Sequence, residues 1–148
     1  MFSQTTEYAL RAMAWLAVLD GDLVPTPHLA ARIDVPPNYL AKVLQQLSTA
    51  KLIVGRRGVG GGYRLSRPAD EITLLEIVRC IGPVERLSAC PLSHHGGANG
   101  RLCPLHEATD KAAAAVIDVL GKMTLAELQR DPRRPLCAAK SARVVVPA

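Results

Sequence analysis

The sequence predicts a mainly α-helical protein with one small β wing and a long C-terminal helix. Four apolar residues recur at i, i+3, i+4 and i+7, the spacing of one buried helix face: Leu40, Val43, Leu44 and Leu47. Five glycines within residues 55–62 separate two short β-prone runs, which predicts a hairpin. Residues 105–123 again carry apolar side chains at helical spacing. Hydrophobic residues make up 49% of the chain and aromatic residues only 3%, so aliphatic side chains must fill the core.

Three helices are predicted before the wing. The first spans residues 6–19 and is apolar on nearly all sides, so we expect it to contact a second subunit as well as its own core. Thr26 is predicted as the N-cap of helix 2, with Pro27 at the first helical position, and this helix extends to Ile33. After a short turn, Pro37 opens helix 3.

The wing is predicted to consist of strands at residues 52–54 and 63–65, followed by further helices. Thr73 and Glu76 have the spacing of a capping box, which begins a helix that ends at Ile81. The long helix carries a seam of small residues at 112–115, which allows close approach of a second helix, as in a dimer interface. Thr124 and Glu127 form a second capping-box pattern for a short helix.

Charge is distributed unevenly along the chain. Residues 35–69 contain six Lys or Arg side chains and no Asp or Glu, and the whole chain has a net charge of +5. Such a stretch is either a solvated surface or a site for an anionic partner. The absence of acid and the glycine-rich tip favour double-stranded DNA, read by helix 3 and held by the wing. The candidate DNA-binding residues are Asn38, Tyr39, Ala41, Lys42, Gln45, Arg56, Arg57, Gly60, Gly61 and Arg64.

The four cysteines suggest metal or redox chemistry. No signal peptide is visible and the longest apolar run is too short to span a bilayer, so we expect a cytoplasmic protein without structural disulfides. Cys103 and His106 are spaced by about one helical turn, and Cys90 returns to them across a glycine-rich loop. Thiolate and imidazole groups are usual ligands of zinc and of iron–sulfur clusters.

Four stretches of the chain resemble one known family, over roughly residues 1–130: TTEYALRAMAWLA, IDVPPNYLAKVLQQL, KLIVGRRGVGGGYRLSRPADEITLLEIV and CPLH before a long helix. They are similar to the Rrf-type (IscR/NsrR/CymR-like) winged helix-turn-helix transcriptional regulators. The resemblance implies a homodimeric bacterial DNA-binding regulator, and some relatives hold an iron–sulfur cluster.

The resemblance bears on the metal ligands as well. Cluster-binding relatives often carry three cysteines, and the middle one is absent here. His94 or His95 could replace it, and so could Glu7, which matches the position from which some relatives supply an acidic ligand to the other subunit. We expect a [2Fe–2S] cluster held by this set, with zinc or no metal as the alternatives.

These observations predict a transcriptional regulator that binds a palindromic operator as a homodimer. Its DNA affinity is expected to depend on an iron–sulfur cluster or on the thiol redox state at Cys90, Cys103 and His106. We divide it into a winged helix-turn-helix DNA-binding domain (1–82), a Cys/His sensor loop (83–103), a dimerisation helix with a short C-terminal helix (104–130) and a loosely ordered tail (131–148). The alternatives are a regulator without metal that uses a Cys90–Cys103 dithiol switch, and a winged helix used for protein assembly. An enzyme is not expected, since no catalytic set of residues is apparent.

Overall fold

The computed structural model describes residues 2–19, 21–82, 84 and 104–129. The wing follows three helices, and its two strands pair antiparallel with Ile53 opposite Leu65 and Arg56 opposite Gly62. This architecture confirms the predicted mainly α fold with a small wing. Its elements are α1 (Gln4–Val18), α2 (Thr26–Ile33), α3 (Pro37–Thr49), β1 (Ile53–Arg56), β2 (Gly62–Leu65), α4 (Leu74–Ile81), α5 (Pro104–Lys122) and two 3-10 turns, Ala69–Glu71 and Leu125–Gln129.

Helices α1 and α2 begin earlier than the sequence predicted. Ser3 caps α1 by accepting a hydrogen bond from the backbone N–H of Thr6 at 3.2 Å, so the helix starts at Gln4. For α2, the prediction of Thr26 as the N-cap was wrong. Pro25 takes the N-cap position with an extended backbone, and Thr26 is the first helical residue. The α2 shift arises because the residue just before the predicted cap already provides the required extended conformation.

The turn between α2 and α3 has a left-handed residue at its start. Asp34 has φ +56°, a conformation that Asp tolerates better than most residues, and it ends α2. Pro36 then caps α3, whose apolar residues face the core as predicted. Each of these four side chains is at most 1% exposed: Leu40, Val43, Leu44 and Leu47.

The chain after α5 returns to the core of the winged domain. The backbone N–H of Leu74 donates to Met123 at 2.9 Å, and that of Leu125 donates to Ile72 at 2.8 Å. Leu125 itself is fully buried among the core residues of α1 and α3. The Thr73–Glu76 capping box is present as predicted, and the second pattern begins a 3-10 turn in which Glu127 accepts a hydrogen bond from Thr124.

Helix α5 divides its apolar residues between two sides. Val116, Ile117 and Leu120 pack against a small cluster of buried residues that includes Leu75 and Val78 of α4. On the other side, Ala112 and Ala115 are exposed, and Val119 is 61% exposed. One face of α5 therefore packs against α4, and no described residue covers a second apolar face.

Candidate nucleic-acid interface

The outward face of α3 carries the polar residues that the sequence predicted for base contacts. Asn38, Ala41, Lys42 and Gln45 are all exposed, on the side of the helix away from its buried leucines. The Thr49 hydroxyl donates to the backbone oxygen of Gln45 at 2.9 Å, which leaves the Gln45 side-chain amide out of that interaction. Amide and ammonium groups on an exposed helix face suit base edges and phosphates.

The wing is a hairpin whose tip consists largely of glycine. The backbone N–H of Gly61 donates to the Gly58 oxygen at 3.0 Å and closes the tip. Gly58 and Gly60 have φ +93° and +71°, which glycine adopts without steric cost. A Cβ at Gly61 would lie 2.3 Å from the Arg56 carbonyl oxygen, so this turn excludes any side chain there.

Backbone contacts fix the wing to the body of the domain. Val24, which precedes α2, exchanges two backbone hydrogen bonds of 2.9 Å with Tyr63 on β2. This close approach requires glycine beside it: Gly62 has φ +152°, and a Cβ there would lie 2.4 Å from the Val24 carbonyl group. The wing therefore has a set position relative to α3, with a space between them.

That space is an open cleft of about 700 Å³ between α3, the wing and the start of α2. Gln45 borders it from α3, Arg56 and Arg57 from the wing, and Thr26 from α2. None of the described residues that line it is acidic. The cleft is also lined by residues outside the predicted DNA-binding set. Pro25, Thr26 and Tyr63 join it because distant parts of the chain come together there, and Ser48 and Thr49 follow Gln45 on α3.

Five of the predicted DNA-binding residues do not line this cleft: Asn38, Tyr39, Lys42, Gly60 and Arg64. The Tyr39 hydroxyl is 2.5 Å from the Thr5 hydroxyl, and its ring packs edge-on against Tyr8 with centroids 5.5 Å apart. Tyr39 therefore links the start of α3 to α1, with 39% of its surface exposed. Arg64 is exposed opposite Val54 in the hairpin and does not line the cleft.

The predicted metal ligands fall only partly within the described residues. Glu7 is exposed in the first turn of α1, 4.0 Å from Arg11. His106 is in the first turn of α5, and its Nε2 lies 3.5 Å from a carboxylate oxygen of Asp110. The other predicted ligands lie outside the described residues: Cys90, His94, His95 and Cys103. Within residues 2–19, 21–82, 84 and 104–129, no cluster of three or more His, Cys, Asp or Glu side chains could hold a metal.

Cys80 is separate from this set. It is half-buried at the edge of the core, and burial raises the pKa of its thiol. A half-buried thiol with a raised pKa packs rather than reacts. In the same described ranges, no helix is both long enough and apolar enough to cross a membrane.

A helix-turn-helix with a basic, acid-free outward face and a docked hairpin defines a winged helix-turn-helix protein. Comparison with known proteins agrees with this class. A family model described as "Rrf2: Iron-dependent Transcriptional regulator" matches residues 2–131. The chain belongs to the Rrf2 family of transcriptional regulators.

Individual relatives support the same assignment. A candidate HTH-type transcriptional regulator of Mycobacterium tuberculosis is 44% identical over 84 residues, 55% of this chain and 52% of the relative, so the match spans about half of that protein. IscR of T. potens is 26% identical with a TM-score of 0.72, covering 88% of this chain and 87% of IscR. The oxidised form of Staphylococcus aureus CymR is 27% identical with a TM-score of 0.68, and the match covers 88% of this chain and 97% of CymR.

Proposed function

We propose that this protein is a cytoplasmic homodimeric transcription factor that reads a palindromic operator with α3 and holds its backbone with the wing. The observation that carries this proposal is the acid-free cleft between α3 and the wing, with Gln45 on one side and two arginines on the other. Phosphate contacts by the arginines set the affinity and its dependence on salt. Asn38, Lys42 and Gln45 supply sequence discrimination.

The experiment removes the wing charges together. Arg56→Ala with Arg57→Ala should weaken binding to any duplex and should reduce the slope of log K against log salt by about one unit for each phosphate that the protein no longer neutralises. The control is Lys111→Ala with Lys122→Ala, which removes two exposed charges from α5, far along the chain from the wing. A wing variant whose slope equals that of wild type and control would contradict backbone binding by the wing.

A second copy of the chain is the proposed partner for the uncovered face of α5. An apolar depression of about 310 Å³ on this face is lined by Phe2, Ala115, Val116, Val119 and Leu120. Together with the exposed Val119, this surface suits burial against the same helix of another subunit. A dimer would place two copies of α3 on two half-sites of one duplex.

A [2Fe–2S] cluster at Cys90, Cys103 and His106 is the proposed sensor. The one described ligand in this set fits the role: Asp110 faces Nε2 of His106, which leaves Nδ1 for a metal, as in many carboxylate–histidine–metal arrangements. The fourth ligand would be His94, His95 or Glu7 of the partner subunit. When bound, the cluster would supply a redox- and oxidant-sensitive group near the dimer helix.

Cluster binding is tested by measuring iron and acid-labile sulfide per dimer after anaerobic reconstitution. Cys90→Ser and Cys103→Ser should each abolish both, whereas the controls Cys80→Ser and Cys137→Ser should retain them. Wild type that binds zinc alone would favour the zinc alternative. If it binds neither metal, the thiol alternative applies, which the likeness to CymR in an oxidised form also supports. A Cys90–Cys103 disulfide formed under peroxide would then be visible by mass spectrometry.

A further inference from the structure

Val59 is a fully exposed apolar residue at the very tip of the wing. Its relative exposure is 105%, the highest among the large hydrophobic residues that are exposed in the described structure. It occupies the second position of the turn closed by the Gly61–Gly58 hydrogen bond, and the φ of +71° at Gly60 makes this a type II turn. A side chain that contacts nothing contributes nothing to the fold, so packing within the domain does not explain a valine there.

The tip is also unusually thin. Among residues 58–61, Val59 is the only one with a side chain, because the other three are glycines. A two-stranded hairpin bare of other side chains can enter a passage about 6 Å wide, which is the width of the minor groove of B-DNA. Arg56 and Arg57 lie just before the tip, where they can reach the phosphates that border such a groove.

The cleft behind the tip determines which groove it meets. In duplex DNA, one sugar–phosphate strand separates each major groove from the neighbouring minor groove. With α3 in a major groove, that strand would lie in the acid-free cleft between Gln45 and Arg56, since both border the same space. The wing, on the far side of the strand, then faces the adjacent minor groove.

We propose that Val59 enters this minor groove and selects A·T over G·C pairs there. This inference rests on the proposed function. A G·C pair places the 2-amino group of guanine on the minor-groove floor, whereas an A·T pair has only acceptors there. The methyl groups of valine would cover that amino group without accepting its hydrogen bond, which is unfavourable. A·T-rich minor grooves are also narrow and attract arginine, in agreement with the two flanking arginines.

The test compares guanine with inosine, which lacks the 2-amino group but presents the same major-groove edge. The probe is a duplex enriched by the wild-type protein from a random-sequence duplex pool. In it, each base pair flanking the α3 contacts is changed in turn to G·C and to I·C. At one or two flanking pairs, G·C should weaken binding about tenfold relative to A·T, and I·C should restore it.

The variants then assign this discrimination to one side chain. In Val59→Ala, G·C and I·C should bind within about twofold of one another at those pairs. The matched control is Val54→Ala, an exposed valine (42%) in the same hairpin that does not line the cleft, and it should keep the wild-type discrimination. Specific binding by wild type that is indifferent to inosine at every flanking pair, or discrimination that survives in Val59→Ala, would overturn this inference alone. A pool that enriches no sequence would overturn the proposed function together with it.

Discussion

Replacing Gly62 by alanine is expected to release the wing from the body of the domain. A Cβ at this position would lie 2.4 Å from the carbonyl carbon and oxygen of Val24, and φ is +152°. The backbone must shift, and the shift breaks the two 2.9 Å hydrogen bonds between Val24 and Tyr63. Backbone strain of about 2 kcal/mol and about 1 kcal/mol for each broken hydrogen bond together lower the free energy of unfolding by about 4 kcal/mol.

Urea unfolding followed by the fluorescence of Trp15, the single tryptophan, measures this decrease. Gly60→Ala is the matched control, because its φ of +71° is also unfavourable for alanine but its Cβ would meet open space. It should cost only about 1–2 kcal/mol. Equal decreases in the two variants would refute the argument, since the approach to Val24 would then contribute nothing.

Three further predictions concern the capping box, the dimer and base readout. Burial raises the pKa of Glu76, but hydrogen bonds from Thr73 and the interaction with Arg67 outweigh it and lower the pKa in the folded state. The stabilisation that ionised Glu76 provides is therefore present above pH 4.5, the ordinary pKa of a glutamate. It is lost as the pH falls through the lower pKa of the folded state. Glu76→Gln should be about 1 kcal/mol less stable than wild type at pH 7, and urea unfolding at lower pH should show the difference shrinking; a constant difference would contradict it. Val119→Glu should give a folded monomer by sedimentation, because it places charge on the uncovered face of α5 alone; an unchanged dimer would place the interface elsewhere. Gln45→Ala should lose about 1–3 kcal/mol of discrimination at one or two base pairs, whereas Gln46→Ala, exposed but outside the cleft, should not; equal weakening on operator and random DNA would show that Gln45 does not read bases.

Features that depend on neighbours in sequence were predicted correctly. The buried face of α3 follows from apolar spacing, and the Thr73–Glu76 capping box involves residues three apart. The hairpin was predicted from its glycines. Its first strand extends to Arg56, beyond the predicted end at residue 54, and its second begins at Gly62, one residue before the prediction. The starts of α1 and α2 were wrong by one or two residues, because adjacent residues compete for the N-cap position and tertiary packing decides between them.

Features that depend on tertiary docking could not be predicted in this way. Thr26 and Tyr63 belong to the cleft only because Val24 pairs with β2, and no local sequence pattern predicts that pairing. Likewise, Tyr39 has the spacing of a base-contacting residue, but its hydroxyl forms a hydrogen bond with the Thr5 hydroxyl. On α5, the apolar periodicity did not distinguish Val116, which packs against the cluster that includes Leu75 and Val78, from the exposed Val119. The ligand set at Cys90 and Cys103 lies outside the described residues and stays a prediction.

The return of Leu125 to the core limits where this protein can be divided to build a chimeric regulator. Because Leu125 is fully buried and bonded to Ile72, a fragment cut after residue 82 would leave an apolar hole and an unpaired carbonyl group in the winged domain. A chimera that transplants DNA specificity as residues 1–82 should therefore express as an unstable product. Exchanging only the outward residues of α3 and the wing tip keeps Leu125 in the core. We therefore expect this smaller exchange to yield a working hybrid.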